Sequence, residues 1–460
     1  MKYSVITFGC RVNQADSLGV EEGLRGQGAV AAAAEEADLV VVNTCSVTAS
    51  ADQSARQTIR RIARINPAAR IVVTGCYATR RPDEVVSLPG VVRVVPNDEK
   101  PDLIAIVRSV RLQPDVTTAD RSGEGEGSCG ATIEPGVAGR TAFTLRVQTG
   151  CAETCSYCII PTTRGRPRST GVHDLLAEVE RVAAAGFKEI ALTGVHLGSY
   201  GRDLTPASSL VELLEALERL GRGRSSGRPE PEVLFRISSL EPMDCTPEIV
   251  DLVASAGCFA PHFHLPLQHA SNRVLARMQR PYTIEYYRAL VDAIRARLPH
   301  ASIGSDIIVG FPGETDGEFA ELCAYLESSP LTHLHVFPYS DRPGTRAAGS
   351  RGKVPGSIVR DRARVVRDIG HRLTTAFRES QVGTEHRGLT LEDGSLVATG
   401  NYLKVRIPPG CARNEWVNVR ITAATGTGMS GELNRQMRAS RASAPERAQD
   451  PRQSTGRTQP

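Results

Sequence analysis

Between Cys151 and Arg166 the chain reads CAETCSYCIIPTTRGR, which spaces three cysteines as C-x3-C-x2-C directly after a strand-like run, Phe143–Gln148, and Gly150. No other stretch constrains the chain as much, because thiols crowded into one loop form a ligand set rather than a packing motif. Three thiolates bound to a four-iron cluster leave one iron open to a small molecule, and an open iron implies catalysis rather than electron storage. Two other readings compete, a zinc site and a trio of buried reduced cysteines. Structural zinc takes four closed ligands, usually in paired units, and no second unit follows at a suitable distance.

A chain of 460 residues predicts two to four domains with ample material for buried cores. The first apolar run, Tyr3–Phe8, is short and gives way at once to Cys10, Arg11 and Asn13, unlike a signal peptide, and no stretch is long enough to span a bilayer. The expectation is a cytoplasmic protein without membrane contact. In a reducing compartment, eleven cysteines point to metal or redox chemistry rather than a disulfide framework. The net charge of +4 decides nothing about partners.

Residues 1–112 alternate strand and helix patterns. Strands are expected at Tyr3–Phe8, Asp38–Val42 and Arg70–Thr74, with helices at Ser17–Gln27 and Ala51–Ile65. Such alternation predicts a doubly wound parallel sheet, with the carboxyl ends of its strands along one edge. Each strand runs into a cysteine: ITFGC at Cys10, VVNTC at Cys45 and VTGC at Cys76. Singly, each is a small buried residue; jointly, three thiols on one edge form a second candidate cluster site, again with one iron left open.

Residues 113–140, rich in Gly, Ser and Glu and holding an isolated Cys129, read as a linker. From 141 to 381 a series of strand–helix units follows. Its strands are expected at Phe143–Gln148, Glu189–Thr193, Val233–Ser238, His262–Pro266, Ser302–Val309 and His333–Pro338, giving a partial (β/α)6 barrel. A long basic helix, Pro355–Gln381, completes this unit, and Gly221–Pro231 reads as a surface insertion. Residues 382–424 carry short alternating runs that suggest a small β-barrel, and 425–460 reads as a disordered tail.

Chemistry in such barrels sits at the carboxyl ends of strands. Those ends nominate Thr193 and Gly194, Ser239 and Glu241, and Gly310 and Glu314 as cofactor contacts, against an ordinary turn reading for each. His262 and His264 alternate to one side of a strand, with His269 nearby, and read as core histidines rather than ligands. In the C-terminal barrel Tyr402, Lys404, Arg406, Trp416 and Arg420 offer the basic and aromatic groups of a nucleic-acid face.

The C-x3-C-x2-C loop matches the signature of the radical S-adenosylmethionine (SAM) enzymes. With TFGCRVNQADS, NTCSVT and GCYA added, the chain resembles the methylthiotransferases from Met1 to about Thr422. The resemblance implies an N-terminal domain whose Cys10, Cys45 and Cys76 hold an auxiliary 4Fe-4S cluster. It implies a central radical SAM domain whose Cys151, Cys155 and Cys158 hold the catalytic, SAM-binding 4Fe-4S cluster, and a C-terminal TRAM-like domain. GVHLGSYGRDL, RISSLEP, PHFHLPLQHAS, HVFPYSDRPGT and NYLKV look like the branch that adds a methylthio group to C2 of N6-threonylcarbamoyladenosine at position 37 of tRNA. The implied partners are a tRNA anticodon loop and an electron donor such as flavodoxin or ferredoxin. Methylthiotransfer to isopentenyladenosine tRNA or to a ribosomal protein is the alternative within the family. Outside it stands an RNA-binding protein whose clusters are structural or relay electrons.

Overall fold

The computed structural model describes residues 1–111, 134–135, 141–224, 232–426 and 428–434. The N-terminal unit is built on β1 (Lys2–Thr7), β2 (Val30–Ala31), β3 (Leu39–Thr44), β4 (Arg70–Gly75) and β5 (Val91–Val95), all parallel in the order β2-β1-β3-β4-β5. β3 reads LVVVNT and is buried at every position, as a strand covered on both faces must be. Val40 and Val42 face α2 (Ala49–Ile65), whose Ala55, Ile59 and Ile62 repeat at helical spacing. Leu39 and Val41 face α1 (Arg11–Arg25), through Val20 and Leu24. Two short helices, α3 (Cys76–Arg80) and α4 (Pro82–Val86), follow β4, and α5 (Leu103–Arg111) closes the unit. Strands β2 and β5 add edges that the alternation pattern does not announce.

The central unit contains β6 (Ala142–Arg146), the β7–β8 ribbon (Gln148–Thr149, Arg168–Ser169), β9 (Glu189–Thr193), β10 (Leu234–Ile237), β11 (His262–His264), β12 (Ser302–Val309) and β13 (His333–Pro338). Its helices are α6 (Ile160–Arg164), α7 (Val172–Ala184), α8 (Leu210–Arg224), α9 (Pro247–Ser255), α10 (Asn272–Met278), α11 (Ile284–Arg297), α12 (Asp316–Ser328) and α13 (Gly356–Ser380). Two parallel three-stranded sheets, β10-β9-β6 and β11-β12-β13, join through a Phe235–Phe259 bridge and the Leu240 N–H bonded to His264 O. The result is the expected six-stranded partial barrel. Ile303 and Ile307 of β12 pack outward with Val291 and Leu322 of the helices. Alternation therefore turns Gly304 and Asp306 to the inner face. α1 packs along β6 at the open edge, so the first unit lies against the side the barrel leaves unclosed.

β14 (Glu385–Leu391), β15 (Leu396–Thr399), β16 (Lys404–Arg406), β17 (Trp416–Thr425) and β18 (Gly428–Leu433) form a closed barrel. This corrects the sequence boundary, since the tail read as disordered from 425 begins with the strand that closes the barrel. Two glycines hide β18 from pattern reading, yet Gly431 belongs there: a Cβ would stand 2.6 Å from a Val419 methyl. Nearly all of 113–140, with Cys129, lies outside the described residues, as do 225–231 of the expected insertion and 435–460.

Candidate active site

Cys10 precedes α1 as its N-cap residue, Cys45 follows β3, and Cys76 opens α3, so three neighbouring parallel strands deliver their thiols to one sheet edge. Glycines permit the approach. Gly9 has φ +91° and a Cβ there would lie 2.6 Å from Cys45 Sγ; Gly75 has φ +95° and its Cβ would strike Thr44 O at 2.2 Å. Cys45 and Cys76 are buried and Cys10 is exposed, and none is in a disulfide. Burial, reinforced by the neighbouring Cys10 and Cys76, pushes the Cys45 thiol up to about 12. Buried thiols gathered in this way fit a metal cluster, because coordination supplies the positive charge their deprotonation requires.

Arg164 supplies a fixed cation to the same place. It is buried, bonds Asp16 Oδ2 at 3.2 Å and Asn13 Oδ1, and lies within electrostatic reach of Cys76 and Cys10. Asp16 is a hub, taking Lys100 at 2.7 Å and Arg146 as well. Burial raises the Asp16 carboxyl, but these cations outweigh it and hold it at about 2. Asn97 donates one amide to both Cys76 Sγ (3.7 Å) and Thr163 O (2.9 Å). Thr163 and Arg164 end α6, a few residues beyond Cys158, so the second cysteine loop runs directly into the wall of the first site.

Within that loop the Glu153 N–H points at Cys151 Sγ (3.4 Å), and Arg280 Nη1 donates to Cys155 Sγ (3.0 Å). Burial, with the adjacent Cys155 and Cys151, pushes the Cys158 thiol up to about 12. Arg280 is held by Glu241 and stacks on Tyr282 at 5.1 Å. His196 pairs with Asp244 at 2.8 Å and lies beside Cys151. Burial alone would lower its pKa, but these two partners raise it to about 10. Gly198 leaves the space for Asp244, since a Cβ would fall 1.9 Å from its carboxyl carbon. The donor set is again three free thiols, here among fixed N–H donors, and it fits a cluster that keeps one iron open.

The other nominated residues divide. Thr193 ends β9, and Gly194 packs against Gln148 and Leu197. Glu241 reaches the Cys155 side through Arg280, whereas Ser239 bonds His264 Nδ1 at 2.8 Å and faces the histidines instead. Gly310 and Glu314 satisfy each other: the Glu314 carboxylate accepts the N–H groups of Gly310 and Phe311 and pairs with Arg362, which is the turn reading. His262 and His264 are buried on one face and His269 is buried elsewhere, bonded to Ser271 N–H. Trp416 anchors its barrel to the central unit by a bond to Glu232 O at 3.0 Å, and Tyr402 stacks on His262 while remaining exposed. Lys404, Arg406 and Arg420 are exposed. Arg164, Asn97, His196, Asp244 and Arg280 escaped sequence reasoning. Only Arg164, inside CAETCSYCIIPTTRGR, and His196, inside GVHLGSYG, stood in marked segments.

The family described as "Radical SAM superfamily" matches residues 145–326, and "Uncharacterized protein family UPF0004" matches 2–96. The threonylcarbamoyladenosine tRNA methylthiotransferase MtaB of Aquifex aeolicus is 37% identical, over 88% of this chain and 96% of its own. The chain belongs to the tRNA methylthiotransferases of the radical SAM superfamily. The enzyme of the same name from Bacillus subtilis is 33% identical, over 87% of this chain and 88% of its own. The tRNA-2-methylthio-N(6)-dimethylallyladenosine synthase of Corynebacterium diphtheriae is 32% identical, over 83% and 74%. Among solved structures, the radical S-adenosylmethionine methyltransferase TsrM from Kitasatospora setae shares the fold, with a TM-score of 0.53 at 17% identity, over 75% of this chain and 73% of that one. Among the described residues no helix is long and apolar enough to cross a membrane.

Proposed function

We propose that this methylthiotransferase adds a methylthio group to C2 of N6-threonylcarbamoyladenosine next to the tRNA anticodon, using two 4Fe-4S clusters and SAM. Cys151, Cys155 and Cys158 would hold the SAM-binding cluster, and Cys10, Cys45 and Cys76 the auxiliary one. The first would pass an electron to SAM, so that SAM yields methionine and a 5′-deoxyadenosyl radical able to attack an unactivated C–H bond, and the second would supply sulfur. The observation that carries the reading is the shared wall: Thr163 and Arg164, in the segment that follows Cys158, reach the strand-end trio, where Asn97 bonds both Cys76 Sγ and Thr163 O. Sulfur insertion needs two such centres facing one substrate carbon.

The chain's own groups have definable work. Arg280 and Glu153 aim N–H donors at the first trio, where hydrogen bonds to sulfur raise the reduction potential. Arg164 balances thiolate charge at the second trio from a buried position. Glu241, linked to Cys155 through Arg280, and Thr193 and Gly194 at the end of β9 are the proposed SAM contacts, while Ser239 and Gly310 bond His264 and Glu314 instead. An anticodon loop suits the site because its bases can be splayed out of the stack. The exposed Lys404, Arg406 and Arg420 are the candidate contacts for its phosphates, and a flavodoxin or ferredoxin would deliver the electron. Mass spectrometry of tRNA nucleosides from a deletion strain tests the reading: 2-methylthio-N6-threonylcarbamoyladenosine should disappear, and an unchanged level would overturn it.

A further inference from the structure

The inner face of the barrel carries a histidine cluster that the cluster assignments above do not use. His262 and His264 of β11 and His333 and His335 of β13 flank β12, where Gly304 leaves room: a Cβ there would lie 2.0 Å from His333 Nε2. The rings lie close together, His264 stacked on His333 at 6.1 Å and tilted against His335 at 5.2 Å. Between them stands Asp306. Its Oδ1 lies 3.2 Å from His264 Nε2 and 3.2 Å from His335 Nδ1, and the three atoms lie within 4.8 Å of one another.

Two features set this apart from an ordinary hydrogen-bonded core. His264 is only 8% exposed, and its Nε2 makes no aligned hydrogen bond, with the Asp306 carboxylate oxygen at 3.2 Å beside it. Its other nitrogen is bonded to Ser239 Oγ at 2.8 Å, the outer contact that orients a metal-binding imidazole. Both distances to Asp306 Oδ1 also match, since ligand atoms at ~2.0–2.1 Å from a tetrahedral ion stand about 3.3 Å apart.

We propose that His264, Asp306 and His335 bind a divalent first-row transition ion, with Zn2+ the natural probe. Two imidazoles and one carboxylate suit zinc or ferrous iron better than magnesium or calcium. Three protein ligands leave a fourth position for water or an oxygen of a bound molecule. Asp306 is two residues from Ile308, which packs with Tyr157 of the Cys155–Cys158 loop, so the site lies deeper along the same inner face.

The test is anaerobic titration of Zn2+ against a chromophoric chelator, using the full chain with its iron–sulfur clusters loaded. One ion per chain is expected beyond the iron. Asp306→Asn and His335→Ala should each weaken binding by at least ~100-fold, and Ser239→Ala by ~10–100-fold. His333→Ala, in the cluster but outside the ligand set, should bind as tightly as wild type. Iron content serves as the folding control; if Asp306→Asn loses it, His335→Ala at its exposed position carries the test. No zinc beyond the clusters, undiminished binding in His335→Ala, or equal loss in His333→Ala would overturn the assignment.

Discussion

Cys151, Cys155 and Cys158 share one loop, whereas Cys10, Cys45 and Cys76 come from three strand ends and meet only because β1, β3 and β4 are neighbours in a parallel sheet. Chain connectivity constrains the first trio to one neighbourhood in any fold. The second trio exists only in the folded sheet. Their surroundings differ in the opposite sense. The local trio recruits Arg280 and His196 from distant elements, while the long-range trio is braced by Asn97 and by Arg164, a residue of the other trio's own segment. A ligand set legible as a motif can thus depend on invisible supports, and one that is invisible as a motif can be tied to the visible one.

The comparison breaks most sharply at the cysteines. Cys151→Ala should abolish 5′-deoxyadenosine formation from SAM and dithionite, whereas Cys45→Ala should cleave SAM at the wild-type rate yet make no methylthio product. Equal loss of cleavage in both would mean that the trios are not separate centres.

Next comes the charge hub. Asp16→Asn leaves Lys100 and Arg164 buried without their counter-charge, a loss of ~3–5 kcal/mol readable in chemical denaturation. The Asp16 carboxyl is held at about 2, below its ordinary 3.8. Its stabilisation is therefore present above 3.8 and lost as pH falls through 2, and the Asn variant should lack that acid-side decline.

Smaller effects sharpen the contrast in backbone. Gly75→Ala forces a Cβ onto Thr44 O at positive φ and should cost at least ~1–3 kcal/mol, with loss of iron at the strand-end trio. Gly165→Ala also sits at positive φ, +70°, but meets nothing within 4 Å and should cost about 1–2 kcal/mol, from backbone strain alone. Smallest is Asn97→Ala, which removes one shared donor; a loss of about 1 kcal/mol is expected with both clusters' iron retained.

Much of the architecture was legible because its signals are periodic and local. β3 announces itself by LVVVNT, and α2 by Ala55, Ile59 and Ile62. β18 was not legible, because MSGEL carries two apolar residues around a glycine and forms only when β16 and β17 offer edges on both sides. Gly310 and Glu314 looked like a cofactor-binding turn, but a carboxylate that accepts two backbone N–H groups beside Arg362 is already satisfied.

By itself the sequence determined the six thiols, their division into two sets of three, and the strand–helix order that carries them. Those follow from spacing and from periods of 2 and 3.6, which are properties of neighbours along the chain. Only the tertiary structure decided that Arg164 and Asn97 join the two sets, that Asp16 gathers three cations, and that Asp306 stands between two imidazoles. Such contacts link residues far apart in the chain, and hydrogen-bond and Coulomb energies depend on distance through space.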